Sequence, residues 1–181
     1  YSFMVVSATK DVASAYKPNL AFFEEWGSEG FVWLEELVKE IGKEHIIIAD
    51  AKRGDIGNTA NHYANAFFNH FKCDAITVNP YMGKESIEPF CLDKSKGVYV
   101  LCRTSNPSAS FIQKNIYEKV IKLSKDLNQF SNIGLVVGAT DTESMKEVRG
   151  STNLPFLVPG IGAQGGSLKD VIKINKKFIR F

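Results

Sequence analysis

The sequence has few cysteines, little net charge and no long apolar run, and each shortage argues against a class of protein. Cys73, Cys91 and Cys102 show no metal-ligand spacing with each other or with the three histidines, so we predict free thiols in a reducing cytosol. The 22 basic and 20 acidic residues leave a formal charge of +2, which gives no electrostatic reason to expect nucleic-acid binding. The apolar stretches are too short to span a bilayer and no signal peptide is recognisable, so we expect a soluble, cytoplasmic protein.

Short Val- and Ile-rich runs alternate with amphipathic segments along the whole sequence. Hydrophobic residues make up 44% of it, which is enough for one core, and the length is that of a single domain. The pattern predicts six strand–helix units after a helix-like first segment. The predicted strands cover 15–17, 45–50, 75–78, 98–102, 133–137 and 156–158, and the predicted helices 3–15, 28–41, 56–71, 84–91, 112–130, 141–149 and 167–174.

This alternation favours parallel β/α construction, because parallel strands need a crossover between them. A closed (β/α)8 barrel, the TIM barrel, has eight strands and typically about 250 residues. We therefore expect one α/β domain over residues 1–181, a TIM barrel whose first strand and most of whose last strand are absent from this chain. Phe178-Ile179 is predicted to begin that last strand. A doubly wound open sheet is the competing architecture.

The most informative run is 49–59, Ala-Asp-Ala-Lys-Arg-Gly-Asp-Ile-Gly-Asn-Thr, which follows an apolar strand and opens a helix. Alternation of side chains along a strand predicts that Asp50 and Lys52 share a face, with Asp55 just beyond the strand end. Lys17 and Asn19 follow the preceding strand in the same way. Buried ion pairs are weak stabilisers, so we expect these five groups to form a site at the carboxyl face of the sheet.

Other polar residues also follow predicted strands. Arg53 and Lys84 are interpreted as solvated loop charges, whereas Arg103, Thr104 and Ser105 are expected near the site. The run 159–167, Pro-Gly-Ile-Gly-Ala-Gln-Gly-Gly-Ser, lacks both the dinucleotide fingerprint and the lysine of a nucleoside-triphosphate loop. Its glycines let backbone N–H groups approach an anion, and its serine can begin a helix. We therefore predict that it binds a phosphate monoester.

Taken together, these motifs resemble the orotidine 5′-phosphate decarboxylase family. Its hallmark Asp-x-Lys-x-x-Asp-Ile is found at 50–56, and the sequence of 50–59 is similar to that of the branch found in many bacteria and some protists. Further matches cover nearly the whole chain in the expected order. They are Tyr16-Lys17-Pro18-Asn19, Thr77-Val78-Asn79-Pro80-Tyr81-Met82-Gly83, Arg103-Thr104-Ser105-Asn106-Pro107, Val136-Val137-Gly138-Ala139 and Pro159-Gly160-Ile161-Gly162-Ala163-Gln164.

The resemblance implies decarboxylation of orotidine 5′-monophosphate to uridine 5′-monophosphate, and it implies roles for particular residues. Asp50 lies against the substrate carboxylate, Lys52 protonates C6, and Lys17 joins the charge network and reaches the ribose. A homodimer with shared sites is implied, with three residues presented to the neighbouring subunit. These are Asp55, Ile56 and Thr59. Substrate contacts are implied for Asn19, Thr104, Ser105, Pro159, Gln164 and Gly165.

The chemistry is consistent with that assignment. Loss of carbon dioxide leaves a carbanion in the ring plane with no π system to delocalise it, so fixed charges must stabilise it. We expect no cofactor and no metal. The alternation Lys17, Asp50, Lys52, Asp55 is expected to keep every member charged, since each has neighbours of opposite sign.

The sequence departs from the family at two points. No counterpart is found for the first-strand aspartate that binds ribose. The last-strand arginine that binds phosphate is also missing, because Arg180 comes too early to take its place. Two alternatives stay open: a magnesium-dependent sugar-phosphate decarboxylase or aldol synthase of the same superfamily, and a non-catalytic barrel that binds uridine nucleotides.

Overall fold

Six parallel strands pair in the order in which they occur along the chain in the computed structural model, which describes residues 1–177. They are β1 (Ala15–Tyr16), β2 (Ile46–Arg53), β3 (Ala75–Val78), β4 (Gly97–Arg103), β5 (Ile133–Val137) and β6 (Phe156–Leu157). A doubly wound sheet requires a reversal of strand order, so that alternative is wrong. Sequential parallel order with intervening helices is the arrangement of a β/α barrel, and the partial-barrel prediction is confirmed. The strand start predicted at Phe178-Ile179 lies outside the described residues.

One helix precedes β1 and the others follow the strands, with the bounds α1 (Ser2–Thr9), α2 (Ala21–Glu24), α3 (Gly27–Ile41), α4 (Gly57–Asn65), α5 (Glu88–Cys91), α6 (Ala109–Gln113), α7 (Tyr117–Leu127), α8 (Thr142–Ser151) and α9 (Leu168–Asn175). A π-helical turn, Ala66–His70, continues α4, and a 3₁₀ turn, Lys84–Ser86, precedes α5. Within residues 1–177, no helix combines the length and the apolar character that a membrane span requires.

Several predicted helix bounds were wrong, and local contacts explain the differences. The helix expected over 3–15 ends at Thr9, whose hydroxyl lies 3.0 Å from the Tyr16 hydroxyl as the chain turns into β1. The helix expected over 84–91 is broken before α5, because Pro89 has no N–H to continue the hydrogen-bond ladder. The helix expected over 112–130 is divided into α6 and α7, since Gln113 at the end of α6 bonds the loop after β4. The short α2 was not predicted.

The core lies between the sheet and the helices. Every residue of β3 and of β5 is buried, as expected for parallel strands covered on both faces. Helix α3 buries Gly30, Leu34, Leu37 and Ile41, which recur at helical spacing, and it ends at Gly42 with φ 76°. The three cysteines are free and buried.

Gly30 lies where α3 meets α2, and it provides a test of the packing. A Cβ atom at Gly30 would come within 1.7 Å of the Phe23 carbonyl oxygen, whereas one at Gly150 in α8 would meet nothing within 4 Å. We expect Gly30→Ala to lower the free energy of unfolding by about 2 kcal/mol or more, because backbone must move to admit the methyl group. Gly150→Ala should raise it by about 0.5 kcal/mol through helix propensity.

Urea denaturation followed by circular dichroism measures both variants against the unmodified protein. A stabilising effect of Gly30→Ala, comparable to that of Gly150→Ala, would show that α2 and α3 do not approach as closely as described.

Candidate active site

The backbone of β2 is irregular at the point where the site begins. Lys52 has φ 48°, in the left-handed region, and the pairing of β2 with β3 shifts register between Ala49 and Arg53. The Thr77 hydroxyl accepts a hydrogen bond from the Lys52 N–H at 2.9 Å, and Asn79 N–H donates to the Arg53 carbonyl at 2.7 Å. A left-handed lysine costs on the order of 1–3 kcal/mol and persists only where its surroundings hold it. Lys52 is therefore oriented by contacts with β3 rather than by simple strand alternation.

Asp50 lies between two lysines. Lys52 Nζ is 2.5 Å from Asp50 Oδ1, and Lys17 Nζ pairs with Asp50 Oδ2. The Thr77 hydroxyl is 3.3 Å from Asp50 Oδ1 and donates to it. The Asp50 side chain is 10% exposed, against 32% for Lys17 and 48% for Lys52. The carboxylate is thus buried beneath two ammonium groups that solvent can reach.

The lysines decide the ionisation of Asp50. Burial alone would raise the pKa of this carboxyl, but the hydrogen bonds and charges of Lys17 and Lys52 outweigh burial and hold the pKa below its usual value. Asp50 is consequently ionised at neutral pH. Because the positive groups are held before any ligand arrives, they can stabilise an anion that develops beside them without first reorganising.

Main-chain pairing brings the segment after β1 to Asp50. The Asp50 N–H donates to the Pro18 carbonyl at 3.0 Å, and the Leu20 N–H donates to the Asp50 carbonyl at 3.2 Å. Asn19 lies directly opposite Asp50 in this pairing. Four of the five groups expected to converge at adjacent strand ends are therefore together: Lys17, Asn19, Asp50 and Lys52.

Asp55 does not join this cluster, so the expected alternation of four charges is wrong within one chain. Its carboxylate accepts a hydrogen bond from the next residue, Ile56, at 2.8 Å, and among residues 1–177 it forms no ion pair. The chain leaves the sheet after Arg53 and turns into α4 with Gly57 at φ 54°. Ile56 is 52% exposed and Thr59 is also exposed. Residues 56–59 are thus exposed to solvent where the chain leaves the sheet.

The glycine-rich segment folds against the loop after β4. The Ser105 hydroxyl donates to Gln164 Oε1 at 2.8 Å, and three glycines of the segment have positive φ: Gly160, Gly162 and Gly165. Pro159 accepts a hydrogen bond through its carbonyl from Ala139 N–H at 2.9 Å. Ser167 caps α9, as predicted, by accepting from Asp170 N–H at 3.3 Å.

The Thr104 side chain bonds within its own loop. Its hydroxyl lies 2.6 Å from Asn106 Oδ1 and 2.8 Å from Gln113 Nε2. Arg103 is buried and its Nη2 atom lies 3.3 Å from Asp141 at the start of α8. Arg103 therefore lies at the strand end as expected, but its contacts run to α8 and not to Asp50.

Sequence reasoning missed Thr77 and misjudged Arg53. Thr77 is a hydroxyl residue inside an otherwise apolar buried strand, and that signal could have identified it. Arg53 is not a solvated loop charge, because its side chain is 22% exposed and pairs with Glu24. In the part of the chain that the structure describes, no group of three or more His, Cys, Asp or Glu side chains is placed to hold a metal ion.

The pKa of Asp50 gives a pH-dependent test. A carboxyl whose pKa is lower in the folded than in the unfolded state adds stability above its unfolded pKa, about 3.9, and this is lost as pH falls through the folded pKa. We expect Asp50→Asn to destabilise the protein most at pH 6–7, roughly where the carboxylate is fully ionised in both states. The difference should shrink below about pH 4.

Chemical denaturation at a series of pH values measures this difference. Asp126→Asn serves as the control, because Asp126 pairs with Lys122 at the surface with 59% of its side chain exposed, and such pairs contribute little. A destabilisation by Asp50→Asn that did not vary with pH would contradict the assignment of the carboxylate.

A family model described as "Orotidine 5'-phosphate decarboxylase / HUMPS family" matches residues 3–179. A relative from Dehalococcoides mccartyi, named orotidine 5′-phosphate decarboxylase, is 46% identical over 180 residues, which cover 93% of this chain and 67% of the relative. One from Natronomonas pharaonis with the same name is 47% identical over 171 residues, covering 90% of this chain and 63% of the relative. The chain thus spans about two thirds of the length of these relatives.

Solved structures agree with the sequence comparison. Leishmania donovani OMP decarboxylase superposes with a TM-score of 0.90 at 41% identity, covering 96% of this chain and 71% of that one. Leishmania donovani UMP synthase superposes with a TM-score of 0.92 at 42% identity, covering 96% of this chain and 41% of that one. With the family model matching nearly all of its length, the chain belongs to the orotidine 5′-phosphate decarboxylase / HUMPS family.

Proposed function

We propose that the protein is a carboxy-lyase that converts orotidine 5′-monophosphate to uridine 5′-monophosphate in pyrimidine synthesis. The observation that carries this proposal is the buried Asp50 carboxylate held between the ammonium groups of Lys17 and Lys52. The relatives named orotidine 5′-phosphate decarboxylase support the same reaction. No comparable observation favours a sugar phosphate as substrate.

Each member of the cluster has a distinct task in this proposal. Asp50 faces the substrate carboxylate. The two negative charges repel each other, and this repulsion is relieved when carbon dioxide leaves. Lys52 stabilises the developing C6 carbanion and then donates its proton to that carbon. Lys17 shares Asp50 with Lys52 and reaches the ribose. Because Asp50 touches both ammonium groups, it also holds the two lysines beside each other.

This reaction places unusual demands on the protein. The electron pair left by carbon dioxide lies in the plane of the ring, so the ring π system does not delocalise it. An ammonium group already within reach supplies the stabilisation electrostatically and then the proton, without a cofactor or a metal in the proposed mechanism. Contacts from Thr77 to both Lys52 N–H and Asp50 support this role, since they hold the two groups in place beforehand.

The remaining predicted contacts surround the rest of the substrate. Ser105 and Thr104 read the edge of the pyrimidine, and Asn19 lines the site beside Asp50. Gln164, Pro159 and Gly165 close over the base and the phosphate, which is supported by the Ser105–Gln164 hydrogen bond and the positive φ of Gly165. Binding energy from the phosphate is then available to order these loops and exclude water.

We also infer a cytoplasmic homodimer in which each site uses residues of both chains. The exposure of Ile56 and Thr59 supports this, as does Asp55, which forms no ion pair among residues 1–177. Large apolar side chains are exposed on the segments that follow β2, β3 and β4, as on a surface that a partner covers. They are Ile56, Tyr81, Met82, Phe111 and Ile112. Free, buried cysteines fit a reducing compartment.

Replacement of Lys52 tests the reaction. We expect Lys52→Ala to lower kcat by about a thousandfold or more, because both the electrostatic stabilisation and the proton donor are lost. The decrease of orotidine monophosphate absorbance, recorded with EDTA present, measures turnover. Lys122→Ala is the matched control, since Lys122 lies on α7 with 79% of its side chain exposed.

Full turnover by Lys52→Ala, or turnover by the unmodified protein that requires added magnesium, would refute this mechanism. The second result would favour the metal-dependent branch of the superfamily.

Mixing inactive variants tests the shared site. Lys52→Ala and Asp55→Ala should each be inactive, but a mixture that has exchanged subunits should regain about a quarter of the unmodified activity. Half of the dimers are then mixed, and each mixed dimer contains one site with both native residues. Subunit exchange is verified with two affinity tags. A mixture that exchanges subunits yet stays inactive would show that Asp55 does not serve the partner's site.

A further inference from the structure

Arg53 lies at the end of β2, directly after Lys52, and is packed against aromatic rings. Its guanidinium carbon is 5.2 Å from the ring centroid of Tyr63 and 5.3 Å from that of Phe67. Tyr63 belongs to α4 and Phe67 to the π-helical turn that continues it. An arginine held against aromatic faces has few alternative positions. The side chain is therefore fixed against the helical segment that follows the site.

The same guanidinium makes two polar contacts on other segments. Its Nη2 atom pairs with Glu24 at the end of α2, and its Nη1 atom donates to the Ala51 carbonyl at 3.3 Å. Ala51 immediately precedes Lys52, the residue with the left-handed backbone. One side chain thus joins α2, the main chain beside Lys52, and the helical segment of α4.

Each of these three segments carries part of the proposed site or directly adjoins it. Helix α2 continues the chain from Lys17 and Asn19, and β2 carries Asp50 and Lys52. Helix α4 begins just after Asp55. None of the contacts that Arg53 makes with described residues reaches the side chains of Lys17, Asp50 or Lys52. Its effect on them must pass through the segments it holds.

We propose that Arg53 and Glu24 form a positioning pair that keeps Lys17 and Lys52 on the two oxygens of Asp50. The turnover that this pair supports rests on the proposed function, but the geometry of the charge cluster does not. Without the pair, the end of α2 loses its side-chain contact with β2 and α4, and the ammonium groups move relative to the reacting carbon. A displacement of about 1 Å at a reacting centre can lower a rate about a hundredfold.

Four variants of the purified protein test the pair: Arg53→Met, Arg53→Lys, Glu24→Gln and the double variant R53M/E24Q. Methionine keeps an apolar stem against the rings. The Glu24 side chain is 35% exposed, so removing the Arg53 charge does not leave a buried, unpaired carboxylate. Lys122→Met is the control, because it removes a cation from an ion pair on α7 whose lysine is 79% exposed.

Two readouts are taken. The first is the titration of the Asp50 carboxyl followed by carbon-13 NMR, assigned with Asp50→Asn, which needs no turnover. The second is kcat and KM for orotidine 5′-monophosphate, measured well below the unfolding midpoint of each variant. A side chain that only stabilised the fold would alter neither readout at that temperature.

We expect Arg53→Met to move the Asp50 titration up towards the ordinary aspartate value of about 3.9, because Lys17 and Lys52 no longer contact it closely. Its kcat should fall about a hundredfold, with KM changed less than about threefold because substrate contacts remain. Glu24→Gln should act in the same direction, and R53M/E24Q should be no worse than Arg53→Met. Arg53→Lys should recover part of kcat, and Lys122→Met should match the unmodified protein.

The proposal is overturned if Arg53→Met lowers only the unfolding midpoint while the Asp50 titration stays unchanged. Losses that add in R53M/E24Q would also overturn it, because the two residues would then act independently. Should the unmodified protein fail to decarboxylate the substrate, the proposed function falls, and the Asp50 titration still decides whether Arg53 positions the cluster.

Discussion

One buried carboxylate, that of Asp50, organises the carboxyl face of this sheet. A lone aspartate at this depth would be protonated or would draw in water, whereas here each of its oxygens meets an ammonium group. The dependence is mutual, because the two lysines would repel each other without the carboxylate between them. Such a cluster adds little to stability compared with apolar packing. What the cluster provides is an electrostatic field from charges in fixed positions, at the surface above Asp50 where a substrate can lie.

The run 50–59 has two parts, and the fold separates them. Its first part lies in β2, where Thr77 of β3 holds Lys52 and Asp50 in an irregular strand. Its second part leaves the sheet and is exposed at the start of α4. Arg53 lies between the two parts, bonded back to Ala51 and packed against α4. Arg53 thus contacts both the part of the run that is proposed to be catalytic and the helix that follows the part proposed to contact a partner.

Much of the fold and part of the site were predictable from sequence for a physical reason. Val- and Ile-rich strands alternating with amphipathic helices leave few alternatives to sequential parallel pairing, and adjacent strand ends must then place Lys17 beside Asp50. The left-handed φ of Lys52, the bonds from Thr77 and the pairing of Arg53 with Glu24 depend on residues distant in sequence. Strand alternation correctly predicted that Lys52 lies beside Asp50, although the backbone at Lys52 is left-handed and does not follow regular strand geometry. The local hydrogen bond of Asp55 with Ile56 N–H was not predictable, because strand alternation ends before the turn into α4.

In the proposed reaction, the charge cluster stabilises a carbanion at C6 of the pyrimidine. Exchange of the C6 hydrogen of uridine 5′-monophosphate with deuterium oxide, followed by proton NMR, tests it directly, because this exchange forms the same carbanion without any loss of carbon dioxide. We expect the unmodified protein to catalyse this exchange and Lys52→Ala to abolish it. Exchange no faster than in buffer alone, or equal exchange by both proteins, would contradict it.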